Sequence, residues 1–225
     1  MNRASVFVQP CGLCGHSQPL LFSQDKRRQF WQCQHCHLVY VAQVHYLSAA
    51  DEKAIYDQHE NCLEDEGYRR FLSRAAVPVQ EKVKLPATGL DFGCGPGPLL
   101  ARMLTEYGYS MQCYDLYYAN NVSVLDKYYD FITCTEVIEH IATPNQTLAR
   151  LLSMLKPGAP LVLMTKLVLD AERFANWHYK NDLTHISFFS RATFDYIARH
   201  YDVGLEFIGN DVIVLTKYAT STDVR

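Results

Sequence analysis

The chain has 225 residues, of which 48% are hydrophobic and 20% charged, and its formal net charge at pH 7 is −3. This composition indicates an ordinary globular protein with one sizeable core and excludes a disordered, collagen-like or fibrous chain. The negative charge argues against binding of nucleic acid by bulk electrostatics, and neither a membrane-spanning run nor an apolar leader is visible, so we expect a cytoplasmic protein without a membrane partner.

Four cysteines near the N-terminus follow the pattern C-x2-C-x18-C-x2-C. They are Cys11, Cys14, Cys33 and Cys36. Two such pairs, separated by about 15–20 residues, are typical of a tetrahedral zinc site, whereas the alternative of two disulfides is typical of small secreted proteins. Four thiolates close the coordination sphere, so the predicted zinc is structural. His35 and His37 are weaker candidate ligands.

Residues 20–33, between the two cysteine pairs, predict a short hairpin with Lys26, Arg27 and Arg28 at its tip. These charges either lie in solvent, which is the favoured interpretation, or bind a phosphate. Four further cysteines are scattered singly through the rest of the chain, as small buried hydrophobic residues typically are. They are Cys62, Cys94, Cys113 and Cys134.

A glycine-rich segment at residues 91–97 reads Asp-Phe-Gly-Cys-Gly-Pro-Gly. It follows an apolar stretch that predicts a strand and precedes an amphipathic pattern that predicts a helix over 99–107. Glycines let a ligand approach the backbone, and the helix start offers unpaired N–H groups. Because Asp91 would repel a pyrophosphate, the segment favours a cationic ligand.

With this D-x-G-x-G-x-G segment the chain resembles the class I S-adenosylmethionine-dependent methyltransferases over roughly residues 50–225. Further matches are an acidic strand end at Asp115, a strand followed by E-x-x-E-H at 129–140, a turn at 155–158 before strand 161–164, and two antiparallel strands at 204–208 and 212–215. The resemblance implies an α/β, Rossmann-like fold whose mostly parallel sheet ends in an antiparallel hairpin. We divide the chain into a zinc-ribbon-like module (1–45), a helical lead-in or lid (46–85) and a cofactor-binding domain (86–225).

The resemblance also implies that S-adenosylmethionine binds at the glycine-rich segment, with Asp115 accepting hydrogen bonds from the ribose hydroxyls. The expected cofactor-binding residues are Asp91, Phe92, Gly93, Cys94, Gly95, Gly97, Asp115, Leu116, Thr135 and Glu136. Only 15 residues separate Asp115 from Phe131, too few for the usual helix, third strand and loop. We therefore expect a rudimentary third strand or none, with Leu116, Tyr117 and Tyr118 either stacking on adenine or covering the sheet edge.

The polar and aromatic segment 174–190, after the fifth predicted strand of the cofactor domain, lies where this family places groups that act on the substrate. Its catalytic candidates are His185, His178 and Asp182. A histidine titrates near neutral pH and can accept a proton during methyl transfer. The alternative is that His185 holds the loop by a hydrogen bond to the backbone. A helix is expected to begin near Ser190.

The spacing of Glu136, Glu139 and His140 predicts that all three lie on one face of a helix start. This motif resembles that of ubiquinone-pathway O-methyltransferases and small-RNA 2′-O-methyltransferases, some of which hold a divalent ion with a later histidine. A magnesium or manganese site at Glu136, Glu139, His140 and His185 is thus one interpretation, and capping and packing of the helix is the other.

The cysteine module and lead-in resemble zinc-knuckle sugar C-methyltransferases. We therefore expect O- or C-methylation of a polar small molecule. The alternative is an RNA-modifying methyltransferase, or a cofactor-binding interaction module that uses the zinc knuckle. Residues 51–66 contain seven acidic side chains and one lysine, which would repel RNA phosphates and disfavour nucleic acid as a partner.

Overall fold

A computed structural model describes residues 7–58 and 65–219. In chain order the strands of this part are β1 (Pro19–Gln24), β2 (Gln29–Cys33), β3 (Val39–Val41), β4 (Thr88–Phe92), β5 (Ser110–Tyr114), β6 (Phe131–Thr135), β7 (Pro160–Met164), β8 (Ser187–Phe188), β9 (Val203–Ile208) and β10 (Val212–Lys217). The α-helices are α1 (Ala49–Tyr56), α2 (Glu66–Lys82), α3 (Leu99–Glu106), α4 (Pro144–Ser153), α5 (Ala171–Ala175) and α6 (Arg191–Tyr201). In this part of the chain no helix is long and apolar enough to cross a membrane.

The larger sheet has six strands in the order β5-β4-β6-β7-β10-β9. Strands β5, β4, β6 and β7 run parallel, and β10 pairs antiparallel with both β7 and β9. Every residue of β7 is buried, as expected for a central strand covered on both faces. The arrangement confirms the predicted mostly parallel sheet with its antiparallel hairpin.

Two apolar layers cover this sheet. On one face, Leu72 of α2 and Leu104 of α3 share a buried cluster with Phe131 of β6. On the other, Leu151 of α4 and Phe194 of α6 share a second cluster with residues of the cysteine module. The helix expected near Ser190 is confirmed as α6, whose first turn is held by a capping box in which Ser190 and Thr193 exchange hydrogen bonds with each other's backbone N–H.

The smaller sheet has the order β1-β2-β3-β8. Its first two strands pair antiparallel and confirm the predicted hairpin between the cysteine pairs. Strand β3 pairs antiparallel with β8, so that Val39 lies opposite Phe188. The N-terminal strands thus share a sheet with a short strand that directly follows the loop containing His185.

Two expectations about smaller features are resolved by the structure. Between Asp115 and Phe131 the chain forms a 3-10 turn at Val122–Asp126 and no third strand, because the segment is short. Among the scattered cysteines, Cys134 is buried as predicted, but the prediction is wrong for Cys94 and Cys113, which are partly exposed near the glycine-rich segment. Cys62 lies outside the described residues.

Candidate active site

The glycine-rich segment joins the end of β4 to the start of α3. Gly93 and Gly95 have φ angles of 77° and 64°, in the left-handed region that favours glycine. A Cβ atom on Gly93 would lie 2.3 Å from Cγ2 of Val137, so its space is also closed to a side chain. The backbone of this turn is therefore specified by glycine, at Gly93 also by the packing of Val137.

Asp115 follows β5, the strand beside β4, and its carboxylate faces the glycine-rich turn. One carboxylate oxygen accepts from Gly95 N at 3.0 Å, and the other accepts from Tyr117 N at 2.8 Å and Tyr118 N at 3.1 Å. The side chain thus connects two of the turns that shape the predicted cofactor site. Oδ2, which accepts only from Gly95 N within the described chain, keeps a lone pair that a hydroxyl can use.

Asp91, at the end of β4, is only 3% exposed. Thr133 Oγ1 donates to its carboxylate at 2.7 Å. Burial raises the pKa of Asp91 to about 6, the Thr133 hydrogen bond opposes the rise, and the negative charge of Asp115 adds to it. A buried carboxylate without a cationic partner in the structure is well suited to a positively charged ligand.

A cavity of about 750 Å³ extends from this turn to the loop after β7. All ten residues expected to bind the cofactor line it, and so do the three catalytic candidates His178, Asp182 and His185. Their assigned roles remain predictions. Sequence reasoning did not assign several further lining residues to the site, although the aromatic pair spaced i, i+3 on α2 could have indicated an apolar wall. Among them are Glu52, Tyr68, Phe71 and Lys166.

His185 is 7% exposed, and its Nδ1 atom lies 2.7 Å from the carbonyl oxygen of Tyr179. That contact places the proton on Nδ1 and leaves Nε2 with a lone pair. Burial and then the neighbouring His140 lower the pKa of His185, so the ring is neutral at neutral pH. The backbone contact proposed as the alternative role is present, and it leaves the other nitrogen available for chemistry.

Glu139 and His140 belong to a 3-10 turn, Ile138–His140. One ligand atom each of Glu139, His140 and His185 lies within 4.8 Å of the others. Tyr179 Oη donates to Glu139 Oε1, whereas Glu139 Oε2 is buried without a hydrogen-bond partner. Burial raises the pKa of Glu139. We call these three residues the Glu-His-His cluster.

Glu136 departs from the expectation. The predicted helix start is a 3-10 turn, and Glu136 precedes it with a φ angle of 52°, so the three motif residues do not share one helix face. Glu136 is consequently absent from the group whose ligand atoms lie within 4.8 Å of one another. Burial, followed by the charge of Glu139, raises the pKa of Glu136 to about 8.

The other two catalytic candidates have partners of their own. The Oδ1 atom of Asp182 accepts from Thr184 N at 2.9 Å and Oγ1 at 2.6 Å. Burial opposes ionisation of Asp182, but the Thr184 hydrogen bonds and the nearby histidines hold its pKa below the usual value. His178 is exposed, and its Nε2 atom lies 3.4 Å from Lys166 Nζ.

Helix α1 forms one wall of the cavity. Glu52 accepts from Tyr117 Oη at 2.7 Å and from Tyr56 Oη at 3.0 Å. Asp57, just after the helix, accepts from Tyr118 Oη at 2.7 Å. These bonds join the lead-in to the turn after Asp115. Tyr117 and Tyr118 thus line the cavity while their hydroxyl groups are bound by Glu52 and Asp57.

Both interpretations of the charges at the hairpin tip are wrong for Arg28. It is 4% exposed, so it neither lies in solvent nor is available to a phosphate. Its guanidinium donates to main-chain carbonyls of the loop before β8. They belong to Lys180, Asp182 at 2.9 Å, Leu183 at 3.3 Å and His185 at 3.0 Å. Nothing in the sequence signalled this contact between distant segments.

The sulfur atoms of Cys11, Cys14, Cys33 and Cys36 lie within 4.8 Å of one another. The Cys11–Cys36 and Cys14–Cys33 sulfur distances are 3.5 and 3.4 Å. Those distances far exceed the roughly 2.05 Å of a disulfide and approach the about 3.8 Å between thiolates that bind one zinc tetrahedrally. The four thiols therefore fit a zinc ion, and neither His35 nor His37 belongs to the group.

The cysteine module packs directly against residues 142–145, which follow Glu139 and His140 of the Glu-His-His cluster in sequence. A Cβ atom on Gly12 would lie 2.2 Å from the carbonyl oxygen of Ala142, and Asn145 N donates to the carbonyl of Gly12 at 3.3 Å. Together with Arg28, this contact supports the two chain segments that carry the cluster.

A family model described as a methyltransferase domain matches residues 57–206. Among solved structures, an O-methyltransferase family protein from Burkholderia thailandensis is similar, with 14% identity and a TM-score of 0.51 over 76% of this chain and 63% of that one, less than two thirds of its length. A SAM-dependent methyltransferase from Archaeoglobus fulgidus has 18% identity and a TM-score of 0.50 over 66% of this chain and 94% of that one. A search of curated protein sequences finds no significant match.

Proposed function

This chain belongs to the S-adenosylmethionine-dependent methyltransferases, and we propose that it methylates a polar small molecule at oxygen or carbon. The observation that supports this choice of acceptor is that one cavity joins the glycine-rich turn to His140 and His185 of the Glu-His-His cluster. A polar acceptor suits a wall of histidine, tyrosine and carboxyl groups.

When bound, S-adenosylmethionine supplies a methyl group made electrophilic by its sulfonium sulfur, which keeps the bonding electron pair as the methyl group leaves. We assign its ammonium group to Asp91, the buried carboxylate that lacks a cationic partner in the structure. We assign its ribose hydroxyls to Asp115, whose oxygens already shape the turn. Gly95, which has a φ angle of 64° and no side chain, lets the cofactor approach the backbone of the turn.

His185 is the proposed general base. The residue lines the cavity, and its Nε2 atom has a lone pair with which it takes the proton of the acceptor hydroxyl, or of an activated carbon, while the acceptor's electron pair forms the bond to the methyl carbon. The ring then carries a positive charge, which Asp182 Oδ2 at 3.9 Å stabilises.

Turnover can be measured as release of S-adenosylhomocysteine against fractionated cell metabolites. If His185 is the base, His185→Ala lowers turnover by about 10²- to 10⁴-fold and leaves affinity for S-adenosylhomocysteine unchanged. His200→Ala, on the exposed face of α6, is the matched control. Unchanged turnover in His185→Ala would show that the histidine only holds the loop.

A second role for the same cluster is favoured by the unpartnered Oε2 of Glu139. One carboxylate and two imidazoles suit a divalent ion of the manganese type better than magnesium, which prefers oxygen ligands. In that role Glu139, His140 and His185 would hold the ion and orient oxygen atoms of the acceptor. Calorimetric titration with Mn²⁺ tests this directly: binding by the native chain and loss in His140→Ala support it, and no binding overturns it.

We also propose one structural zinc ion at the four cysteines, whose sulfur geometry fits it. RNA as substrate is the less favoured alternative. The guanidinium of Arg28, at the hairpin tip, is bound by internal carbonyls. In the described part of the acidic stretch, Glu52 lines the cavity and Asp57 binds the lining residue Tyr118, so both would repel phosphates there.

A further inference from the structure

Lys166 lies two residues after the end of β7, at the C-terminal edge of the sheet, and its side chain lines the cavity. It is the single lysine or arginine among the described residues that line this cavity, whose other charged groups are carboxylates and histidines. The glycine-rich turn follows β4, and β6 lies between β4 and β7. Lys166 is therefore on the acceptor side of the cavity.

The charge of Lys166 is not balanced by a carboxylate. Within the described chain no carboxylate oxygen lies within 4 Å of its Nζ, whereas four other lysines hold carboxylates at 2.6–3.1 Å. They are Lys53, Lys82, Lys156 and Lys180. Glu136 interacts electrostatically with Lys166, which lowers the pKa of Glu136. Burial is the larger effect and raises this pKa to about 8, so Glu136 is mostly neutral at pH 7.

Two neighbours hold the lysine in place without neutralising it. Its Nζ lies 3.4 Å from Nε2 of His178 and 5.2 Å from the ring centroid of Tyr179. Tyr179 is fixed in turn by its hydroxyl contact to Glu139. A cation–π contact orients an ammonium group but leaves its other protons to a ligand. The imidazole of His178 adds a second nitrogen at the same point of the cavity.

We propose that Lys166 and His178 form a subsite for an anionic group, a carboxylate or a phosphate, on the methyl acceptor. This inference rests on the proposed function and narrows its substrate class to acidic small molecules. A compact ammonium group binds such anions as a point charge, and an imidazole N–H provides a second donor. His178 is thereby assigned to substrate binding instead of proton transfer.

The test uses the full chain saturated with S-adenosylhomocysteine and titrated with inorganic phosphate or acetate in a calorimeter. We expect saturable binding of at least one anion, with a loss of tenfold or more in Lys166→Met. The matched control is Lys127→Met, because Lys127 is exposed and outside the cavity lining. The anion that binds more tightly identifies whether phosphate or carboxylate is the natural group.

Three results would overturn the inference: absence of anion binding by the native chain, equal binding by Lys166→Met, or an equal loss in Lys127→Met. A tenfold fall in affinity for S-adenosylhomocysteine itself in Lys166→Met would also overturn it, since the lysine would then hold the carboxylate of the cofactor. A native chain that fails to bind S-adenosylhomocysteine contradicts the proposed function, whereas a loaded chain indifferent to anions contradicts this inference alone.

Discussion

The guanidinium of Arg28 donates a hydrogen bond of 3.0 Å to the main-chain carbonyl of His185, across 157 residues of sequence. The same guanidinium holds three further carbonyls of the loop, and Lys180 of that loop pairs with Asp25 at 3.1 Å. The hairpin between the cysteine pairs therefore fixes the backbone from which the proposed base extends.

Arg28→Met is expected to destabilise the protein by about 3–5 kcal/mol, because it leaves several buried carbonyls without donors. The loop should loosen, so turnover should fall while affinity for S-adenosylhomocysteine stays near the native value. Denaturant unfolding and hydrogen exchange of residues 178–185 measure the two effects. Arg27→Met serves as control, since the exposed side chain of Arg27 donates a weaker hydrogen bond of 3.3 Å to the carbonyl of Asn181. An equal effect in both variants contradicts the prediction.

One zinc ion per chain is expected on purification. Cys33→Ser should release it, because Cys33 is one of the four sulfurs within 4.8 Å of one another. Cys134→Ser, at a buried cysteine of β6, should change stability but not zinc content. Elemental analysis decides the outcome, and native protein without zinc rules out the site.

Comparison of Gly93→Ala with Gly158→Ala separates the cost of a strained backbone from the cost of a steric clash of the new Cβ atom. Both glycines have nearly the same φ angle, 77° and 78°, so both substitutions carry the left-handed cost of about 1–2 kcal/mol. A Cβ on Gly158 meets no atom within 4 Å, but a Cβ on Gly93 meets Val137 at 2.3 Å. We expect the larger loss of stability, and a loss of S-adenosylhomocysteine binding, in Gly93→Ala alone. Equal losses would show that the turn tolerates displacement of Val137.

Asp115→Ala should weaken S-adenosylmethionine binding by about 1.5–3 kcal/mol, or roughly 10- to 150-fold, through loss of the charge-assisted bonds to ribose. The variant also frees the N–H groups of Gly95 and Tyr117, which adds to the effect. Asp126→Ala, an exposed aspartate of the 3-10 turn, is a suitable comparison. Native affinity in Asp115→Ala, measured by calorimetry, rejects the ribose assignment.

Affinity for S-adenosylhomocysteine should rise with pH. The pKa of Asp91 is raised to about 6 in the free protein by burial, so the carboxyl is protonated below that value. A bound ammonium group favours the ionised form and lowers this pKa, which means that binding releases a proton below pH 6. Linkage then predicts about a tenfold gain in affinity from pH 5 to 7 and a plateau above. The gain should disappear in Asp91→Asn; a pH-independent native affinity contradicts the assignment of Asp91.

Local patterns predicted the parts of the site that depend on neighbouring residues in sequence. The glycine-rich turn, the strand ending before Asp115 and the cysteine pairs each follow from spacing and backbone requirements. The same reasoning was wrong for Glu136, because its positive φ interrupts the helical periodicity that the motif suggested. Arg28 could not be placed from sequence, since a basic residue in a turn normally lies in solvent and only the loop before β8 gives it buried acceptors.

The pairing of β3 with β8 also has a consequence for synthesis of the chain. Val39 leaves the ribosome about 150 residues before Phe188, its partner across the sheet. Until then one edge of β3 has no neighbour from this sheet, and closing so long a loop makes the contact a late and slow step of folding. A nascent chain stalled before β8 would thus expose an unpaired strand edge beside its cysteines, the kind of edge at which aggregation begins.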